Sequence, residues 1–261
     1  MDSVIELQLW QMAAAYIFVV ALLFIVRIRG ISREKEILIS STRMTVQLIL
    51  VGYILDYLFN NINPLNTIGV IVVMEVFAIH NIYKRTKGTL SKPLKKIIAL
   101  SMMFGTLSSL IYFLLAVIHI SPWYDPRYFI PIAGMLIGNS MTGISLGVTR
   151  LVDDMYAERH LIESALMLGA TPKMATKQIV DNAFDSAILP TINSMVGMGI
   201  IFLPGMMTGQ ILSGISPVTA VSYQIAIMLG ILGSVAITVI LFVQLGYKTF
   251  FNEEKQLVVN E

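Results

Sequence analysis

Residues Tyr223–Tyr247 read YQIAIMLGILGSVAITVILFVQLGY and contain no Asp, Glu, Lys or Arg. As a helix rising 1.5 Å per residue this run extends roughly 37 Å, more than the roughly 30 Å hydrocarbon core of a bilayer. A helix apolar on every face has no side to offer water, so the stretch predicts a membrane span. Six further stretches read the same way: Leu7–Val26, Met44–Phe59, Thr67–Tyr83, Ile97–Ile120, Phe129–Val148 and Ala187–Met207. The second and third of the seven are short, and Asn60-Asn61-Ile62-Asn63-Pro64 between them is a turn signal. The sequence therefore predicts an all-α polytopic membrane helix bundle of about seven transmembrane helices, forming a single membrane domain over residues 1–261.

Composition agrees. The chain is 56% hydrophobic and 13% charged, against about 25% charged in soluble domains. A net charge of +2 gives no reason to expect a nucleic-acid partner. With no cysteine, disulfides, thiolate metal sites and Cys nucleophiles are excluded. Asp2 and Glu6 precede the first apolar run where a cleaved signal peptide would carry Lys or Arg. Basic residues instead mark alternate loops. They are Arg27, Arg29, Arg33, Lys35 and Arg43; then Lys84, Arg85, Lys87, Lys92, Lys95 and Lys96; then Arg150, Arg159, Lys173 and Lys177; then Lys248 and Lys255. Of the 18 basic residues only Arg127 falls on the other side. Because Lys and Arg collect on the cytoplasmic side, the expected topology is N-terminus outside and C-terminus inside, in the cell membrane, with lipid as the surrounding partner. The loops on the outside are short, which leaves no room there for a receptor or binding module.

The largest polar segment, 151–183, is expected to be a cytoplasmic elbow between the fifth and sixth spans. Asp153–Leu168 has helical spacing through Met155, Leu161, Ile162, Leu166 and Leu168. Gly169 can take the left-handed conformation that stops a helix. Thr171 can cap the next helix, with Pro172 at its first position. The elbow resembles the EAA loop of ABC importer permeases: Glu-Ala-Ala, three residues, Gly, nine residues, Ile-x-Leu-Pro. Here Glu163-Ser164-Ala165, Gly169 and Ile179 fall in register, while Ser164 replaces an alanine and Asp181-Asn182 stand where Leu-Pro is expected. The alternative for the spacing alone is an amphipathic hairpin lying on the membrane.

A wider resemblance covers nearly the whole chain and is densest from about 129 to 230. Ile130–Gly138 (IPIAGMLIG), Asn139-Ser140-Met141-Thr142, Leu166–Pro172 (LMLGATP) and Leu203–Leu212 (LPGMMTGQIL) followed by Ser213-Gly214 resemble the FetB-type permease family. That bacterial family is associated with iron export and its plant relatives with aluminium tolerance. The resemblance implies a permease homodimer working with a separate cytoplasmic ABC ATPase, which uses ATP and Mg, and export of a metal ion, iron. It makes Glu163, Gly169, Ala170, Thr171 and Pro172 the ATPase-coupling residues. The chain itself has no G-x-x-x-x-G-K-[ST] phosphate loop, so it is expected to bind no cofactor and to be no enzyme.

Inside the spans, Glu75 is the ionisable residue nearest a span centre. A charge there costs at least about 2.5–3.5 kcal/mol on insertion scales, so Glu75 should face the bundle interior, a cavity or the dimer seam. It reads either as a substrate or proton site or as a neutral carboxyl bonding between helices. Asp56, near the outer end of the second span, reads as interfacial. Asn139 and Ser140 could line a pathway or join helices. Met195, Met198 and Met206 would form one stripe on a continuous sixth helix, offering either soft ligands or plain packing. With Glu75 and Asn139, Met195 and Met198 are the candidate substrate pathway. Gly134/Gly138, Gly143/Gly147 and Gly205/Gly209 are small-xxx-small pairs that permit close helix packing within or between subunits. Pro190 and Pro204 should kink or break the sixth helix. His80, His119 and His160 form no ligand pair, and no metal site can be assigned.

Two other classes compete. Gly143-Ile144-Ser145-Leu146-Gly147 has the G-x-S-x-G form of hydrolase nucleophiles, which would make an intramembrane serine hydrolase; but the stretch lies within a helix rather than at a strand-to-helix turn. A seven-helix receptor fits the topology without needing the elbow, and a retinal Schiff base would need a lysine in the last span, where none occurs. Within the transporter class, a nucleotide-sugar or amphiphile is the alternative substrate to a metal.

Overall fold

The structure, a computed structural model, describes residues 8–86 and 90–258. Asp2, Glu6, Leu7 and Lys87 lie outside the described residues. The chain divides into two units, residues 1–62 with 212–214, and 63–211 with 215–261.

In the first unit, α1 (Leu9–Ala15) and α2 (Ile17–Ile28) are joined through Tyr16, which keeps right-handed helical backbone. Together they form a 20-residue apolar span. A tight loop holding Gly30 at φ 67 leads to α3 (Glu34–Asn60). Glu34 and Glu36 in its first turn complement the positive helix end. The Tyr16 and Thr45 hydroxyls share a hydrogen bond between the two spans. The expected second span, Met44–Phe59, is thus the apolar part of a longer helix, and Asp56 is exposed on it.

The second unit is a bundle of α4 (Pro64–Arg85), α5 (Lys92–Tyr112, carried on by a π-helical turn at Phe113–Ile118), α6 (Pro126–Ala157), the elbow helices α7 (Arg159–Met167) and α8 (Pro172–Ala175), then α9 (Lys177–Gly197), α10 (Gly205–Leu212) and α11 (Pro217–Gly246). Four of these starts share one local device. Asn63, Asp125, Thr171 and Ser216 each accept a backbone N–H with their side chain, and proline follows at the first helical position. Proline has no N–H to leave unsatisfied there.

At 32 residues, α6 is about 48 Å long, so its last third, with Arg150, Asp153 and Asp154, extends beyond a 30 Å apolar layer. It packs on α4, α5, α9 and α11. Ile132, Leu136, Ile144, Val148, Leu151 and Met155 are fully enclosed, at spacings of three and four residues or their multiples, which keep one helix face inward. Facing them, α11 contributes Val235, Val239 and Phe242. Small residues set the approach distances. A Cβ on Gly143 would lie 2.9 Å from Val235 Cγ1 and 3.2 Å from the Ala187 carbonyl oxygen, and one on Gly147 3.3 Å from Ala187 Cβ. Gly105 meets Thr238 more closely still, with 2.6 Å from such a Cβ to the Thr238 Cα. Gly134 has ordinary contact with Met74, whereas Gly138, Gly205 and Gly209 have nothing within 4 Å.

Among the described residues six helical stretches are long and apolar enough to cross a membrane. The expected sixth span, Ala187–Met207, is not one helix. α9 ends at Gly197, Met198 is extended, Gly199 has φ 80, and Met198 and Phe202 form an isolated bridge before α10 starts at Gly205. Gly199, in the left-handed region, and Pro204 bound the break; proline lacks an N–H and disfavours helical backbone at the residue before it. Pro190 is accommodated inside α9. The methionine stripe that a continuous helix would have made is therefore divided, with Met195 in α9, Met198 in the break and Met206 in α10.

Replacing Gly105 with alanine should lower the stability of the detergent-solubilised protein by about 1–3 kcal/mol, the usual cost of overpacking, because the obstacle is backbone. Gly138→Ala should leave the thermal unfolding midpoint unchanged. Equal midpoints for the two variants would contradict this packing.

Candidate functional site

The elbow is built by local rules. A one-residue break at Glu158 separates α6 from α7. α7 ends in a Schellman motif: Ala170 N–H donates to the Ala165 carbonyl at 3.0 Å and Gly169 N–H to that of Leu166 at 3.0 Å, with Gly169 at φ 90. This left-handed geometry suits glycine and penalises a side chain. Thr171 Oγ1 then accepts from Met174 N–H at 3.3 Å. The two arms are anchored inward by Ile162 and Ile179, each 1% exposed. Glu163 does not point to the tip; its carboxylate pairs with Arg159 on the same helix at 2.8 Å. Lys177 pairs likewise with Asp181 at 2.8 Å, and that hydrogen bond holds its ammonium above the ordinary lysine range. Both pairs are solvated and contribute little to stability.

The outer face of the elbow is apolar. Leu168 is 90% exposed and Met167 81%, with Leu161 and Met174 also exposed. Beside the tip lies a groove of about 620 Å³. Glu163, Leu166, Met167 and Gly169–Pro172 form one wall, and Glu254–Leu257 of the C-terminal segment form the other. Nothing in the periodicity of the last dozen residues points to that second wall.

Glu75 lies enclosed on α4, 5% exposed. The Thr106 hydroxyl of α5 hydrogen-bonds its Oε1 and also lies 2.7 Å from the Met102 carbonyl of its own helix. Glu75 Oε2 has no partner. Nearly two turns further along α4, Asn81 Nδ2 reaches Met141 Sδ of α6 at 3.3 Å. Between α6 and α11, Ser140 and Ser234 hydroxyls are 2.9 Å apart. Asn139, by contrast, is on the exposed side of α6 and donates to the Met135 carbonyl at 2.7 Å. Met195, Met198 and Met206 pack partly buried against the core, and Gln224 Nε2 is 3.8 Å from Met198 Sδ. No hydrogen bond joins Glu75 to Asn139 or to these methionines among the described residues. Thr106 and Ser234 have no motif to announce them; only the register of neighbouring helices makes them partners.

Ser145 sits in mid-helix and donates to the Met141 carbonyl at 2.6 Å, so the G-x-S-x-G string makes no nucleophile elbow. Among the described residues no group of three His, Asp or Glu could hold a metal ion. A second cavity, about 630 Å³, lies between α5 and α11. It is mostly apolar, with Ser108, Ser109, Ser222 and Ser234 among its lining.

Comparison with known proteins places these features in a family. The chain is 35% identical to the UPF0014 membrane protein YjkA of Bacillus subtilis over 94% of this chain and 96% of the relative. It is 34% identical to an Escherichia coli protein named "Probable iron export permease protein FetB", over 96% of this chain and 95% of the relative. It is 35% identical to ALUMINUM SENSITIVE 3 of Arabidopsis thaliana, over 94% and 88%. No solved structure matches. The family model described as "Uncharacterised protein family (UPF0014)" matches residues 9–251, an interval that contains all six long helices and the elbow, and the chain is a multi-pass membrane protein belonging to that family.

Proposed function

We propose that the chain is the membrane-spanning subunit of an ABC transporter that exports a metal ion, iron, using ATP and Mg hydrolysed by a separate ATPase subunit. The observation that carries the reading is the elbow: two short helices locked by a Schellman turn, anchored by Ile162 and Ile179, with Met167 and Leu168 exposed at the tip. Large apolar side chains flanked by Arg159, Glu163, Lys173, Lys177 and Asp181 suit a protein partner better than lipid tails, because charged groups are costly to bring into the bilayer. The alternation of basic loops supports a cytoplasmic position for the elbow. A sequence without a G-x-x-x-x-G-K-[ST] string is consistent with ATP hydrolysis by a separate subunit. Iron and export follow the printed name of the Escherichia coli relative. In this reading the permease works as a homodimer, with Gly138 and exposed Asn139 on a face of α6 left open within one chain.

Glu75 is the proposed substrate-contacting carboxyl. Its free Oε2 is a hard oxygen ligand of the kind that suits iron better than the thioethers of Met195 and Met198 do. The apolar cavity between α5 and α11 favours a second reading, an amphiphilic substrate.

In vesicles containing permease and ATPase, iron should stimulate ATP hydrolysis and be moved across the membrane. Stimulation by an amphiphile and not by iron would select the second reading. Gly169→Val should lower transport about tenfold or more while ATP hydrolysis continues, since a β-branched residue resists φ near +90; coupled transport at the original rate would refute the elbow's role. Glu75→Gln retains a carbonyl acceptor for Thr106 and should fold with an unchanged unfolding midpoint yet lose iron stimulation. Iron stimulation equal to that of the parent protein would make Glu75 an interhelical tie only.

A further inference from the structure

Beyond α11 the described residues 247–258 are folded. A 3-10 turn at Tyr247–Phe250 leads to Phe251, which bridges antiparallel to Leu257. Val258 N–H donates to the Phe250 carbonyl at 2.7 Å and Asn252 N–H to that of Gln256 at 3.0 Å. The Asn252 side chain closes the turn twice, donating to Gln256 Oε1 at 3.0 Å and accepting from Gln256 N–H at 2.8 Å. Tyr247 and Phe250 are buried, and Phe251 and Leu257 pack against the same core. This hairpin is therefore fixed to the end of α11, and its tip forms the far wall of the groove beside the elbow.

We propose that the hairpin 251–258 is the second half of the ATPase docking surface, so that the partner seats an apolar ridge in the groove and grips elbow and hairpin together. The inference rests on the reading of the elbow as the ATPase contact and names a further element of it. The groove lining is apolar at Leu166, Met167, Pro172 and Leu257 and charged at Glu163, Glu254 and Lys255. Glu253 and Lys173 lie close by in sequence, so both signs of charge are interspersed and acidic groups equal or exceed basic ones. That pattern fits a protein surface of mixed charge. It does not fit an anionic bilayer surface, which attracts clusters of Lys and Arg. A body seated on the elbow tip cannot fill the groove without touching Glu254–Leu257. Movement of that body would then be delivered to two helices at once, to α9 through the elbow and to α11 through the hairpin.

Because the chain has no cysteine, single labelling sites are available. Met167→Cys on the elbow wall and Glu254→Cys on the hairpin wall are exposed positions. Each variant is placed in lipid vesicles and its rate of maleimide labelling measured with and without the purified ATPase subunit. The expected result is labelling slowed about tenfold at both sites at an ATPase concentration about nine times the Kd, where roughly nine-tenths of the permease is occupied. Protection of Met167→Cys with unchanged labelling of Glu254→Cys overturns the hairpin's role and leaves the elbow contact standing. Protection of neither site by the ATPase removes the elbow contact and this inference with it. Labelling of Glu254→Cys that is slow in vesicles lacking ATPase and fast in detergent assigns the hairpin to the lipid surface and also overturns the proposal.

Discussion

Water is missing from the interior of a bilayer, and with it the cheapest partner for a backbone N–H or carbonyl. Every segment that enters must satisfy its own backbone, which leaves the helix as the default form. That constraint explains why long helices dominate this chain and why their side chains are sorted unusually. Apolar residues cover both the buried and the lipid-facing sides of α11, so burial is chosen by size rather than by polarity. Gly105 against Thr238, and Gly143 and Gly147 against Ala187, decide how closely α5, α6, α9 and α11 approach. Two interior polar pairs join neighbouring helices, Ser140 with Ser234 and Glu75 with Thr106, whereas the buried Ser101 and Thr238 hydroxyls have no hydrogen-bond partner.

Where the chain departs from regular helix, the departure has a local cause. Gly169, Thr171 and Pro172 produce the elbow through capping chemistry. Gly197, Gly199 and Pro204 produce the interruption between α9 and α10 through a break in the hydrogen-bond ladder. The first lies in a polar stretch where water can attend to spare carbonyls. The second lies in an apolar stretch, where the Gly199 N–H instead finds the Phe202 carbonyl at 3.0 Å. Irregular backbone at membrane depth is tolerated when protein groups replace the lost partners.

These causes also mark what could be read from the sequence. Spans and elbow were legible because length, charge and the Gly-x-Thr-Pro order act over a few residues. The second and third spans looked short because their polar ends are still helical. The sixth looked continuous because hydropathy is blind to Gly199 and Pro204, although the prolines themselves gave warning. The cost of a charge in lipid kept Glu75 off the lipid face but did not choose between the bundle interior, a cavity and the dimer seam; the structure encloses it. Its partner Thr106 could not be read, since pairing depends on the relative rotation of α4 and α5. Gly105 was hidden for the same reason: a lone glycine lacks the four-residue spacing that drew notice to Gly143 and Gly147. The hairpin at 251–258 depends on side-chain bonds of Asn252, which no periodicity encodes.

The uninterrupted length of α6 has a mechanical corollary. A rod of about 48 Å pivoting near its middle shifts each tip by about 4 Å when it tilts ten degrees or so. Its far tip leads through Glu158 alone into α7, while Gly143 and Gly147, near the centre of the rod, sit against the carbonyls of α9. The closest packing along α6 thus falls where a lever needs its fulcrum, and the throw is greatest at its two ends.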